Sequence, residues 1–448
     1  MTMRHSLLQS KTTLLLTACA ALALQGCGSS GKDKAPLPGE RVSILELQRN
    51  LEPDSAALEA QGFIAPQAWT NEFWPQNGGY PNHAMQQMSL NEGQLKKIWS
   101  SSIGKGAQAT LPLVAQPVLV DGRIFTIDTA SNLRAFDSKT GKKLWEQEIA
   151  PESEEDDPVI TGGMAYSQGR LYVTTGFNEL LVIDPPSGKI IWRKALPSPS
   201  RAAPTIMDQR LFVVTIDNRL MAFSIEDGTL LWEFAGLAET AGLVGAASPA
   251  ANREIVIPAF SSGELFALRV ENGSVAWADN LSSSRRIGNL AALSDIRGLP
   301  VMDKGMVFAI SYGGRLVAID ERTGSRVWQR EIGGSETPWV AGNHLFVISS
   351  QNEMVGMGRD TGVIRWVTAL PRFENAEKRK NPIIWTGPIL AGGRLIAAGS
   401  NGQIIEANPD TGAIIRQWEA HGPITISPIV AGNTLYLLSD KGVLAAYQ

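Results

Sequence analysis

The residues able to do chemistry are scattered through this 448-residue chain in a pattern that argues against their acting together. Asp137, Asp184, Asp320, Asp360 and Asp410 all fall in short turn sequences. Paired carboxylates would suit general acid–base work, but in turns the same side chains cap and fix hairpins. His83, His344 and His421 lie too far apart to suggest a metal cluster. The run Glu152 to Asp157 reads as a solvated loop, with metal binding the minor alternative. No Gly-x-Ser-x-Gly, phosphate loop or dinucleotide fingerprint appears in a supporting context. The expectation is no catalytic residue, no cofactor and no metal, although a site converging from distant segments would escape a linear search.

The elements that position these residues come from a repeat, and a period near 45 residues marks a propeller or a solenoid. Its clearest copy is Arg315 to Trp328: a strand-forming run, Leu316 to Ile319, then Asp320, a turn ending in Gly324, and a strand carrying Trp328. Glycine suits the turn because it reaches positive φ without a Cβ clash. The frame recurs with Gly141 and Trp145, Gly188 and Trp192, Gly228 and Trp232, Gly273 and Trp277, and Gly362 and Trp366. A seventh copy, around Gly412, is irregular: Arg416 holds the tryptophan position and Trp418 follows two residues later. Successive turn glycines are 47, 40, 45, 51, 38 and 50 residues apart, which suits four short strands per unit. A proline, a few apolar residues and a Gly/Asn/Asp turn open each copy, giving eight beginnings from Pro117 to Pro428.

The two ends of the repeat region explain the count. The last unit, from Pro428, stops before its tryptophan strand, while Leu95 to Ser101 is a lone strand-like run carrying Trp99. If Trp99 supplies the missing fourth strand, no sheet edge is left open between the termini. The predicted fold is all-β: a single eight-bladed β-propeller with four-stranded antiparallel blades, closed by the N-terminal strand joining the C-terminal blade. Trp99, Trp145, Trp192, Trp232, Trp277, Trp328 and Trp366 are assigned to blade-to-blade packing, since a buried indole brings a large apolar area and an N–H needing a partner.

Outside the repeats, four segments are expected. Residues 1–26 read as a leader: Arg4 and Lys11 precede the apolar run Leu14 to Leu24. Its end, Leu24-Gln25-Gly26-Cys27, resembles the bacterial lipobox, which implies lipidation of Cys27; Gly28, rather than aspartate, favours outer-membrane sorting. Loss of the leader leaves 38 basic and 44 acidic residues, so nucleic acid exerts no electrostatic pull. It also leaves Cys27 as the sole cysteine, excluding a disulfide framework. Residues 27–66 are expected to be a flexible tether. Residues 67–90, with Trp69, Phe73, Trp74 and Tyr80, are expected either to pack on the propeller or to display aromatics to a partner, and 91–448 form the propeller.

The repeats resemble the tryptophan-docking motifs of the pyrroloquinoline quinone propeller superfamily, and with the lipobox and blade order they resemble the BamB family of that group. That resemblance implies a non-catalytic lipoprotein of the outer-membrane β-barrel assembly (Bam) complex, anchored in the outer membrane, facing the periplasm and docked on the POTRA region of BamA. Unfolded outer-membrane proteins are further implied partners, reached through blade edges. Two long connectors carry the docking motifs in that family, as Leu-Arg-Gly and Leu-Ser-Asp-x-Asp elements. Here Leu243-Val244-Gly245 and Leu293-Ser294-Asp295-Ile296-Arg297 correspond, so Leu243, Gly245 and Asp295 carry over. Val244 and Arg297 depart, with Arg297 a candidate compensating charge. From the residues alone, the connectors either form a joint surface or cover the propeller mouth. A quinone-dependent dehydrogenase-like protein and a cell-wall-binding propeller remain the alternatives.

Overall fold

A computed structural model describes residues 51–54, 62–152, 159–238, 245–282 and 295–448. The leader, Cys27, Leu243, most of the acidic run and most of the expected tether lie outside the described residues.

Eight four-stranded antiparallel sheets follow one another around a ring, and no described residue is in an α-helix. Blade one consists of Val118–Val120, Arg123–Ile127, Asn132–Asp137 and Lys143–Glu148, paired in chain order. The final blade is composite: Lys97–Ser102 pairs with Val443–Tyr447, so the chain's first blade strand completes its last sheet. The eight-bladed, strand-closed propeller read from the repeats is the fold observed. One short hairpin, Phe373–Asn375 with Lys380–Pro382, stands apart from the blades.

Burial follows position in the blade. Innermost strands such as Val118–Val120 and Ile429–Ala431 are buried at every residue. Outer strands such as Lys143–Glu148 and Leu230–Ala235 alternate between exposed and half-buried positions, with Trp145 and Trp232 turned inward. That period-two pattern is what a strand with one solvated face requires.

The tryptophans bridge blades by one recurrent geometry. Trp145 Nε1 donates to Pro185 O of the following blade's turn at 2.8 Å, and Trp232, Trp277, Trp328 and Trp366 do the same to Val270, Glu321, Arg359 and Pro409. Trp99 of the composite blade donates to Ser138 O of blade one's turn. Each ring lies against the turn glycine: a methyl added at Gly188 would sit 2.6 Å from Trp145 Cε3, where φ is already +75°. Within the blade the partner opposite each tryptophan is small, as in Ala135, Ala222, Ala267, Ala318 and Gly356.

Blade two departs. Trp192 presents its far ring edge to Gly228, and its Nε1 has no hydrogen-bond partner. The equivalent turn carbonyl, Ile225 O, accepts instead from Tyr172 Oη at 3.0 Å.

Candidate functional site

The inner strands have their free edges toward the ring axis, and residues 69–92 are laid against them as a strap. In chain order the strap meets every blade. Asn71 O accepts from Gly432 N; Trp74 exchanges both backbone hydrogen bonds with Leu119; Pro75 O accepts from Tyr166 N; and Gln76 Oε1 accepts from Ile206 N. Pro81 O then accepts from Ala251 N, Asn82 O from Met302 N, Gln86 O from Trp339 Nε1, and Met88 pairs with Leu390 and Gly392. The strap closes on itself, since Ser89 N donates to Trp69 O and Trp69 N to Gln87 O. Trp74, Met85 and Met88 are buried by this circuit, whereas Trp69 and Phe73 stay more than one-third exposed. The aromatic segment therefore divides: Trp74 belongs to the core, and Trp69 and Phe73 face out.

Two pieces of the stretch expected as a tether also lie on the blades. Asp54 accepts from Ile364 N at 2.8 Å and pairs with Arg330, and Phe63 packs edge-on against His344 and Phe346.

Above the strap the channel narrows to a cavity of about 130 Å³. Trp74, Asn77, Gly78 and His83 of the strap form its floor; Arg201, Arg297 and Glu336 bring the charge. Glu336 accepts from Thr386 Oγ1 at 2.6 Å and Gly387 N at 3.3 Å. Burial pushes its carboxyl above the ordinary range, against the downward pull of the Arg297 charge. His83 donates from Nδ1 to Pro300 O at 2.7 Å, and burial lowers its pKa to about 4, so the ring is neutral near pH 7.

The connector residues named from sequence have different positions. Gly245, at φ +96°, lines the cavity, and an added methyl would lie 3.6 Å from Arg297 Nε. The two connectors thus meet at the rim through Gly245 and Arg297. Asp295 is 5% exposed, and its carbonyl accepts from Tyr312 N. It is buried and does not line the cavity. In the first connector, residues 233–248 between Trp232 and Pro249, Leu237 is 63% exposed.

Packing of residues 67–90 on the propeller was one of the two expectations for that segment, but its circuit of all eight blades left no sequence signal, because backbone carbonyls such as Pro81 O and Asn82 O leave no trace in residue type. Arg297 was singled out as a charge, but Arg201 and Glu336 were missed because the three come from separate inter-blade segments.

A Ca²⁺-dependent quinone site asks for six to eight converging oxygens. The cavity offers one carboxylate, Glu336, beside two guanidiniums. That donor set does not fit the ion, and no described His, Cys, Asp or Glu residues gather in threes for a metal.

Fold and inter-blade tryptophan geometry define an eight-bladed propeller of the pyrroloquinoline-quinone-like repeat class. The family described as outer membrane protein assembly factor BamB matches over residues 82–160, 129–368 and 372–448, and this chain belongs to it. It is 24% identical over 362 residues to the BamB of Yersinia pestis, covering 80% of this chain and 90% of that one. An uncharacterised Rickettsia prowazekii protein is 27% identical over 354 residues, covering 75% and 83%. Among solved structures, BamB from Moraxella catarrhalis superposes with a TM-score of 0.67 at 21% identity, covering 79% of this chain and all of that one. The quinohemoprotein alcohol dehydrogenase of Comamonas testosteroni shares the fold at a TM-score of 0.64 and 11% identity, with 88% and 83% covered.

Proposed function

We propose that this chain is a non-catalytic assembly factor that docks on BamA and assists insertion of β-barrel proteins, held at the periplasmic face of the outer membrane by lipid on Cys27. The observation that carries the docking surface is the meeting of the two connectors, Gly245 against Arg297, with the exposed Leu237 on the first of them. An exposed leucine in a long connector is a natural contact for a partner, since burying it contributes about 1.5–3 kcal/mol. Asp295, buried in the second connector, and Leu243, carried over from the family motif, are the further residues assigned to this surface. The strap favours a scaffold over an enzyme, because the chain itself occupies one mouth of the channel.

The test is detergent pull-down of tagged chain from its own envelope after mild cross-linking, with and without Leu237→Glu. BamA recovered with the parent, and depleted with a variant of unchanged melting temperature, supports this surface. Equal recovery with both moves the interface elsewhere, and reproducible absence of BamA from the parent removes the docking assignment.

A further inference from the structure

The channel cavity holds three polar groups that the propeller's own architecture does not use. His83 is 3% exposed, and its Nε2 has no hydrogen-bond partner. Because Nδ1–H is committed to Pro300 O, Nε2 presents a lone pair and asks for a donor. Arg201 lines the same cavity and makes no hydrogen bond or ion pair with another described residue. Arg297 has the Glu336 charge for company without a close ion pair among the described residues. Leaving a buried acceptor without a donor is costly, so a site keeping His83 in this state is one that a ligand or ordered water completes.

We propose that this cavity is a binding site for a small anion that carries a hydroxyl group. Two guanidiniums against one buried carboxylate leave the lining net positive, which sets the sign of the ligand's charge. Arg201 and Arg297 hold its oxygens in the charge-assisted manner suited to planar oxyanions. The ligand's O–H donates to His83 Nε2, which requires a hydroxyl in addition to the anionic oxygens. An ammonium donor is disfavoured beside two arginines. Size is set by the volume: about 130 Å³ is close to the ~150 Å³ that accommodates benzene in an engineered cavity, so the ligand has about six non-hydrogen atoms. A short 2-hydroxycarboxylate and dihydrogen phosphate share this chemistry.

The experiment is titration calorimetry on full-length chain in detergent with three probes: lactate, inorganic phosphate and propionate, which matches lactate in carbon skeleton but lacks the hydroxyl. Lactate or phosphate is expected to bind, with propionate about tenfold weaker because His83 Nε2 stays unpaired. Lactate without phosphate identifies the hydroxycarboxylate, and the reverse identifies phosphate. Arg201→Gln, at a half-exposed position, is expected to weaken binding about tenfold with melting temperature unchanged. If no probe binds up to tens of millimolar, or if binding is the same in Arg201→Gln or equal for lactate and propionate, the proposal is overturned. None of these outcomes depends on BamA, so the docking assignment stands or falls separately.

Discussion

At the scale of single residues, the propeller depends on where an indole meets a glycine and where a histidine stays neutral. Gly188→Ala forces a methyl against Trp145 at a backbone conformation that L-residues rarely adopt. A loss of about 1–3 kcal/mol in urea unfolding is expected, whereas Gly169→Ala, also at positive φ but in open space, isolates the backbone part of that cost. His83 sets a pH dependence. Its folded pKa of about 4 lies below the ordinary value of 6.5, so protons bind the unfolded chain more readily between those limits. Its contribution is complete above pH 6.5 and is lost as pH falls toward 4, on the order of 3 kcal/mol in all. Melting temperature measured across that window should fall less steeply in His83→Gln, which can still donate to Pro300 O; parallel curves would refute the assignment.

The blade is the scale at which the sequence read best and at which its one irregularity finds a cause. The tryptophan-to-glycine spacing is local, so seven tryptophans and seven turn glycines marked the blades before any contact was known. Arg416 in the tryptophan position, the irregular copy of the repeat, follows from the next blade: there the third strand is Val443–Tyr447 and the fourth is Lys97–Ser102, so no tight turn joins them for an indole to dock on. Arg416 reaches Gly93 O, on the approach to that fourth strand, and pairs with Glu406, which replaces the small residue opposite. Arg394 Nε lies 2.6 Å from the same carboxylate, a close ion pair without hydrogen-bond alignment, and Trp418 Nε1 donates to its other oxygen at 2.9 Å. Glu406→Ala therefore strands a guanidinium that is 3% exposed, and a loss of about 3–5 kcal/mol is expected in chemical denaturation. A loss below about 1 kcal/mol would show that solvent replaces the pair. The exchange was illegible because its reason lies in a junction between the two ends of the chain.

Across the whole molecule, the strap and the composite blade both join the stretch just before blade one to the last blade. Asn71 Nδ2 donates to Val430 O across 359 positions, and Lys97–Ser102 pairs with the final strand. Contacts of such separation are slow to form, because the loop entropy must be surrendered before they reward it. Seven blades are contiguous in sequence and can assemble independently of either join. The strap, although it leaves the ribosome before any blade, then has a complete ring of inner edges to settle on only when Ile429–Ala431 is in place. The amides of Tyr166, Ala251 and Met302, which donate to strap carbonyls, should gain protection from hydrogen exchange later in refolding than the ladder amides of blades two to five. Simultaneous protection would mean that the strap templates the ring instead. In the expected order, the earliest-made segment acts as the keystone, and a chain interrupted before its last forty residues has neither arch nor stone to hold it.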